Sequence, residues 1–125
     1  MSKLGCSCGH VIVDQTDSLP YKAELLRADR EEMFYDRVEA LFASMKIAMT
    51  EGRLSELLHE AYGSGLRVTE DGFFIEKLSS LTCELFTTMY ECEACGRLWV
   101  QRPNDPHFIS YSPDGGKPQR ILSSE

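Results

Sequence analysis

Two pairs of cysteines, one near each end of the chain and each followed directly by a glycine, constrain the fold more than any other feature. The first pair has the pattern C-x-C-G and the second C-x-x-C-G, and short strand-like runs, "HVIV" and "RLWV", follow them. Glycine after the second cysteine allows the positive φ or the close backbone approach that such a turn needs. Four thiolates form the closed tetrahedral shell of a structural zinc site. The sequence therefore predicts one structural Zn²⁺ per chain, bound by Cys6, Cys8, Cys92 and Cys95.

The number and setting of the cysteines favour metal binding over disulfides. The chain has five cysteines, an odd number, and its N-terminal segment lacks the apolar stretch and the cleavage site of a signal peptide. We therefore expect a cytoplasmic protein, in which thiols stay reduced. The fifth cysteine, Cys83, stands apart from both pairs, and no neighbouring residue marks a base for it. We expect it to be a buried side chain without a catalytic role.

The two cysteine knuckles resemble those of the zinc ribbon, or rubredoxin-like, class of proteins, over about residues 4–14 and 85–102. The resemblance implies two hairpin knuckles that face each other across one metal ion, in a small antiparallel sheet built from both chain ends. It specifies no function, because proteins with this fold serve in transcription, translation, catalysis and as adaptors. Iron in a redox site is the alternative for four thiolates. The C-x-C pattern departs from the two C-x-x-C-G knuckles of rubredoxin, which favours zinc.

The middle of the chain has helical periodicity. Residues 29–50 are predicted to form one long helix, because apolar residues recur in them at helical spacing. The stripe consists of Phe34, Val38, Leu41, Met45 and Ala48, widened by Phe42 and Met49. The preceding segment "SLPYKAELLRA" has a helix start signal, Gly52 predicts a bend, and "RLSELLHEAYG" predicts a further helix. For residues 66–82 the periodicity does not decide between a hairpin and a helix.

These patterns predict an α+β fold, in which a small antiparallel zinc-ribbon sheet from both chain ends is interrupted by two to three helices between the knuckles. Strands are expected in "CELFTTMYEC", "RLWVQRP" and "HFISYS". We expect a single domain over residues 1–112, with the helical insertion at about residues 20–82. A flexible, turn-rich tail is expected at residues 113–125.

Two histidines are candidate alternative or outer ligands of the metal. His10 follows the first cysteine pair, and His107 follows the strand expected in "RLWVQRP". A catalytic zinc has three protein ligands and one open position, so a mixed site with either histidine would suit a zinc-dependent hydrolase. The chain has no H-E-x-x-H, G-x-S-x-G, phosphate-loop or deaminase motif. We therefore expect a protein without enzymatic activity or an organic cofactor, and keep the hydrolase as an alternative.

The charge of the chain argues against nucleic acid as the partner. The formal net charge is −7, whereas nucleic-acid-binding modules usually carry a basic face. Arg97, Trp99 and Arg102 nevertheless form a candidate patch for phosphate contact and base stacking. The simpler interpretation is that the arginines offset the anionic metal site and that Trp99 packs beneath it. A nucleic-acid-binding zinc ribbon of the transcription or translation machinery stays the alternative.

A small acidic domain without catalytic motifs is expected to act by binding another protein. Residues 20–77 hold 8 basic and 12 acidic side chains, so the helical region has a net charge of −4. Electrostatic complementarity favours a partner with a basic surface. An adaptor or regulatory module and a toxin-neutralising immunity protein both match this description. No apolar run approaches the roughly 20 residues that a membrane-spanning helix needs, so we expect no membrane association.

Overall fold

The computed structural model describes residues 2–63 and 70–124 and confirms the α+β fold. Strands lie toward both ends of the chain, and helices lie in its middle. In chain order the elements of these residues are β1 (Ser2–Gly5), β2 (Val11–Asp14), β3 (Lys22–Leu25), α1 (Ala28–Thr50), α2 (Leu54–Tyr62), α3 (Glu70–Leu85), β4 (Thr87–Glu91), β5 (Leu98–Gln101) and β6 (Phe108–Tyr111). A short 3-10 turn at Asp114–Gly116 follows the last strand.

The chain divides into two compact units. The ribbon unit comprises Met1–Leu25 and Thr87–Glu125, and the helical unit comprises Leu26–Phe86. The ribbon unit is thus built from both ends of the sequence, and the helical unit is continuous between them. The single domain expected over residues 1–112 and the flexibility expected at residues 113–125 stay predictions.

The strands of the ribbon unit form two antiparallel sheets. β1 and β2 form a hairpin in which Leu4 lies opposite Ile12. The larger sheet has the spatial order β3-β4-β5-β6, and all its neighbouring strands are antiparallel. Tyr90 of β4 lies between Lys22 of β3 and Trp99 of β5. The second cysteine pair begins just after β4 and therefore lies in the turn that connects β4 to β5.

The segment "KAEL" is a strand, so the helix predicted for it is wrong. Lys22–Leu25 forms β3 and pairs with β4, with Leu25 opposite Thr87. Helix propensities of such residues differ by only about 0.7 kcal/mol at most, so pairing with a neighbouring strand outweighs them. An ion pair at 2.6 Å between Lys22 and Asp14 supports the same placement.

The core of the ribbon unit surrounds the cysteines. Its buried residues are Cys6, Ile12, Tyr90 and Cys92, and the partly buried residues packed against them are Leu4, Tyr21, Cys95, Trp99 and Phe108. Asp14 lies beside this core, and its Oδ2 accepts hydrogen bonds from the Lys22 ammonium at 2.6 Å and the Tyr90 hydroxyl at 2.5 Å. The Lys22 contact, followed by the Tyr90 contact, holds the pKa of Asp14 below its ordinary value. Packing and polar contacts together therefore position the cysteine-bearing turns.

α1 confirms the single long helix that the sequence predicts. Met45 and Ala48, two residues of the predicted stripe, are buried. Phe42 and Met49, which were expected to widen the buried stripe, are instead 62% and 60% exposed. That part of the prediction is wrong, because apolar periodicity marks a helix face without telling what covers it. α1 thus carries apolar residues on a second, exposed side.

α2 and α3 complete the helical unit. Gly52 has a φ of +70° and forms the predicted bend, and Gly63, with a φ of +80°, ends α2. Residues 70–82, left open between hairpin and helix, belong to α3, whereas residues 66–69 lie outside the described residues. α3 continues through "CEL", which the sequence analysis assigned to a strand. Among the described helices, none has the length and apolar character needed to cross a membrane.

Candidate metal centre

The first cysteine pair lies in the turn of the β1–β2 hairpin. The backbone N–H of Cys6 donates to the carbonyl of His10 at 2.8 Å, and the N–H of Gly9 donates to the carbonyl of Cys6 at 3.0 Å. Gly9 has a φ of +98°, in the left-handed region that favours glycine. The tight turn that results brings the sulfurs of Cys6 and Cys8 close together.

The second pair lies in the turn between β4 and β5 and repeats this pattern. The N–H of Cys92 donates to the carbonyl of Arg97 at 2.9 Å, and the N–H of Gly96 donates to the carbonyl of Cys92 at 2.8 Å. Gly96 has a φ of +81°, and a Cβ at this position would lie 2.7 Å from the Cα of Pro118. Both the backbone conformation and the close approach therefore require glycine. The two knuckles share one hydrogen-bonding scheme, although the first turn is one residue shorter.

The two knuckles bring their four sulfurs to one place. The Sγ atoms of Cys6 and Cys95 are 3.5 Å apart, and those of Cys8 and Cys92 are 3.6 Å apart. All four sulfurs lie within 4.8 Å of one another. Four Zn–S bonds of about 2.3 Å in a tetrahedron separate the sulfurs by about 3.8 Å, so the cluster has the dimensions of a four-thiolate site. The four cysteines are free thiols that can hold a metal ion.

Cys6, Cys92 and Cys95 differ in how readily their thiols ionise. Burial raises the pKa of the Cys6 thiol, but the backbone N–H of Cys8, the Trp99 indole and the neighbouring sulfurs outweigh burial and lower that pKa to about 6. Burial raises the pKa of Cys92 to about 12, and burial also raises the pKa of Cys95. The Cys6 thiol therefore ionises readily, whereas the Cys92 and Cys95 thiols resist ionisation, because burial disfavours the charged form. A bound cation removes this resistance, and for this reason the arrangement favours a metal ion.

The indole of Trp99 indicates that the surroundings suit a metal-bound thiolate. Its Nε1 is buried and has no hydrogen-bond partner within the described part of the chain. The same indole lowers the pKa of Cys6 and so favours the thiolate form of that residue. A metal-bound thiolate keeps its negative charge and accepts N–H donors that orient it. The donor set and its neighbours therefore fit a metal ion.

The two histidines named from the sequence are not members of the sulfur cluster. Among the described residues, the group close enough to hold a metal consists of the four cysteines. His10 contributes its backbone carbonyl to the first knuckle. His107 is exposed, and its Nδ1 lies 2.5 Å from Oδ1 of Asp105. An outer role for either histidine at the metal stays a prediction.

The three residues of the candidate binding patch, Arg97, Trp99 and Arg102, differ in their surroundings, and Trp99 is the one packed against the core. Its side chain packs against the core around the cysteines, as the simpler interpretation expects. Arg97 is half-buried and supplies a carbonyl to the second knuckle, whereas Arg102 is exposed and donates its N–H to the carbonyl of His107 at 2.9 Å. Binding of nucleic acid by Arg97, Trp99 and Arg102 stays a prediction.

Two residues occupy places that sequence reasoning missed. Glu91, directly before Cys92, is 5% exposed, and its carboxylate accepts the backbone N–H groups of Ile121 and Leu122 at 3.3 and 3.2 Å. The sequence contains no signal for this contact, since a glutamate at a strand end is ordinarily solvated. Cys83, expected to be buried, is exposed on α3, and that expectation is wrong.

Comparison with known proteins gives one family. The model of a family described as a domain of unknown function, DUF8617, matches residues 2–115. The match includes all four cysteines and every helix and strand from β1 to β6. No curated protein and no solved structure matched the chain.

Proposed function

Because the chain belongs to the DUF8617 family, whose description names no activity, we propose a function from its cysteine cluster and its charge distribution. The protein is a non-enzymatic zinc protein that acts by binding another protein. Its zinc is structural, one ion per chain, and its ligands are Cys6, Cys8, Cys92 and Cys95. One observation carries the proposal: four sulfurs from two separate turns lie within 4.8 Å of one another.

The chemistry of the four sulfurs favours zinc in a closed shell. Zinc takes four thiolates in a tetrahedron, and a complete set of four protein ligands leaves no position for water. The two hairpin turns support the resemblance to the zinc ribbon class. The shorter first turn, which departs from rubredoxin, favours zinc over iron. A zinc ion held in this way stabilises the fold and does not activate water, which supports a role without catalysis.

A line of carboxylates on α1 is the proposed contact surface for the partner. Asp29, Glu32 and Asp36 are exposed and spaced by three and four residues, so they share one side of the helix. We call these three residues the acidic stripe. Charge complementarity favours a partner with a basic surface and speeds its association. Such a basic partner protein could be the partner of an adaptor or the target of an immunity protein.

The position of Trp99 supports a protein partner over nucleic acid. A base-stacking platform needs an aromatic ring that is accessible to the bases. Trp99, the aromatic residue of the candidate patch, packs against the core of the ribbon unit instead.

Metal analysis and X-ray absorption spectroscopy test the zinc centre. Protein purified without chelators should contain about one zinc per chain, with four sulfur neighbours at about 2.3 Å. A mixed shell with nitrogen or oxygen ligands would contradict the closed site, and iron in place of zinc would favour the rubredoxin-like alternative.

Partner capture with a charge-neutralised variant tests the binding surface. The variant Asp29→Asn/Glu32→Gln/Asp36→Asn removes the acidic stripe, and we expect it to slow association with the captured protein and to reduce its salt dependence. The control Asp17→Asn/Glu56→Gln/Asp114→Asn removes the same number and kinds of charge from other exposed positions. Equal effects of the two variants would contradict a specific role for the stripe. Binding to RNA or DNA that depends on Arg97 and Arg102 would contradict the protein partner itself.

A further inference from the structure

α1 has a second apolar side that the helical unit leaves exposed. Tyr35, Phe42 and Met49 are 60%, 62% and 60% exposed. They are spaced by seven residues, or nearly two helical turns, and therefore share one side of the helix. Ile75 of α3, 61% exposed, lines a groove of about 680 Å³ together with Phe42 and Met49. The exposed apolar surface is thus continuous across two helices.

Two opposite charges alternate with these apolar residues. Glu39 follows Tyr35 by four residues, Lys46 follows Phe42 by four residues, and both charged side chains are exposed. Steps of four and three residues keep neighbours on one helix face. We call this line the α1 seam, and in chain order it consists of Tyr35, Glu39, Phe42, Lys46 and Met49. In the reverse order, from Met49 to Tyr35, apolar and charged residues again alternate. The positive charge then takes the place of the negative charge, and the negative charge that of the positive one.

We propose that the α1 seam binds a second copy of this chain, with the two α1 helices antiparallel about a two-fold axis near Phe42. In this arrangement Phe42 faces Phe42 of the second copy, Tyr35 faces Met49, and Glu39 faces Lys46. The two-fold axis repeats the last two contacts, and the interface closes as a dimer. Parallel helices would place each charge level with its own kind, so two attractive pairs would become repulsive. Charge complementarity therefore selects the antiparallel dimer.

The exposed area matches the requirement of a weak dimer. Large side chains bury about 150–250 Å² each, so four of them at about three-fifths exposure offer roughly 450 Å² per copy. With the flanking Glu39, Lys46 and Thr50, two copies bury about 1,000–1,200 Å² in total, the low end for specific interfaces. The largest apolar patch on a typical monomer measures about 300–600 Å², and the exposed apolar area of the α1 seam and Ile75 falls in this range. We expect a dissociation constant in the micromolar range.

This dimer goes beyond the proposed function and does not depend on it. The α1 seam shares no residue with the acidic stripe of Asp29, Glu32 and Asp36. Loss of dimerisation and loss of binding to a basic partner are therefore separable outcomes.

Sedimentation equilibrium of the full, metal-containing chain from about 1 to 300 µM tests the proposal, because this range brackets a micromolar dissociation constant. The wild type should show a monomer–dimer equilibrium. Phe42→Glu places two carboxylates at the centre of the interface and should raise the dissociation constant about 30-fold or more. Ile47→Glu is the matched control, since Ile47 is also exposed, at 52%, on a different side of α1. It should leave the equilibrium unchanged, and circular dichroism should show wild-type helix content for both variants.

A charge swap tests the antiparallel arrangement. Glu39→Lys alone and Lys46→Glu alone each oppose like charges at two symmetric places and should raise the dissociation constant about tenfold. The double variant Glu39→Lys/Lys46→Glu re-forms both pairs with the signs exchanged and should restore wild-type dimerisation. A chain that stays monomeric throughout the concentration range overturns the proposal. A dimer that Phe42→Glu leaves intact also overturns the proposal, as does a double variant that fails to restore dimerisation. The same holds if a different protein occupies the α1 seam while the chain itself stays monomeric.

Discussion

The sulfur of Cys6 lies 3.5 Å from the sulfur of Cys95, although 89 residues separate them in sequence. Cys8 and Cys92 are related in the same way, at 3.6 Å. The short sulfur contacts therefore join one knuckle to the other. A metal ion at this point crosslinks the two ends of the ribbon unit, and a crosslink around a loop of this length restricts the unfolded chain by about 4 kcal/mol. Metal binding and folding of the ribbon unit are then coupled.

We expect Cys95→Ser to remove the metal and to lower the free energy of unfolding by about 4 kcal/mol. The variant leaves three thiolates, so the crosslink between the knuckles is lost. Zinc content per chain and thermal denaturation measure the two effects. Cys83→Ser is the matched control, because Cys83 is an exposed cysteine outside the cluster. The control should keep both its zinc and its Tm, and a Cys95 variant with a full complement of tightly bound zinc would contradict the four-sulfur site.

Metal uptake should release protons, and the number should depend on pH. The pKa of Cys92 is raised to about 12 and that of Cys95 is also raised, so both thiols are protonated at pH 7.5 before the metal binds. Binding then releases at least two protons, and the dissociation constant should rise about 100-fold for each unit by which the pH falls. Below about pH 6 the Cys6 thiol is protonated as well, and the dependence should become steeper. Titration calorimetry in buffers of different ionisation enthalpy counts the protons, and a count of zero would contradict thiolate ligation.

Asp14→Asn should lower the free energy of unfolding by about 1–2 kcal/mol at pH 7. The change removes the negative charge that pairs with the Lys22 ammonium, while the amide oxygen still accepts from the Tyr90 hydroxyl. Because the folded-state pKa of Asp14 lies below 3.8, its contribution is complete above that pH and is lost as the pH falls through the lowered value. Chemical denaturation between pH 5 and 8 should give a constant difference from wild type. Asp17→Asn, at an exposed position, is the control, and an equal loss in both variants would contradict a specific role for the Asp14 contacts.

Gly96→Ala should destabilise the protein more than Gly115→Ala. The two glycines have nearly the same φ, +81° and +79°, so alanine suffers the same left-handed strain of about 1–2 kcal/mol at both positions. At Gly96 the new Cβ would also meet the backbone of Pro118 at 2.7 Å, whereas no atom lies within 4 Å of it at Gly115. We expect an additional loss of about 1–3 kcal/mol for Gly96→Ala, measured by chemical denaturation. Equal losses would mean that the segment around Pro118 moves away without cost.

Local patterns in the sequence predict the cysteine cluster and α1 well. Cysteine pairs followed by glycine encode both the ligands and the positive φ of the turn, so each half of the site is specified within a few residues. The long helix likewise has its periodicity and its terminal bend at Gly52 within one continuous segment. Such features need no information about distant parts of the chain.

Features that depend on distant residues could not be predicted. β3 forms because β4 lies beside it, and its own four residues would equally suit a helix. The carboxylate of Glu91 is buried because backbone N–H groups about thirty residues later reach it. Periodicity identified the apolar side chains of Phe42 and Met49, but only the packing of the three helices decides that they stay exposed. In each case the missing information is the identity of the neighbour.

The pairing of Leu25 with Thr87 makes the ribbon unit discontinuous in the order in which a ribosome would synthesise it. At about 5–20 residues per second, Cys92 would be added roughly 4–17 seconds after Cys8. All of the helical unit is synthesised in that interval, and its helices can form while the first knuckle still has only two sulfurs. Two thiolates make half of a tetrahedral shell, so firm metal binding must wait for Cys95. A metal centre at these cysteines can therefore assemble only after the helical unit has been synthesised, and Cys6 and Cys8 would have to stay reduced until then.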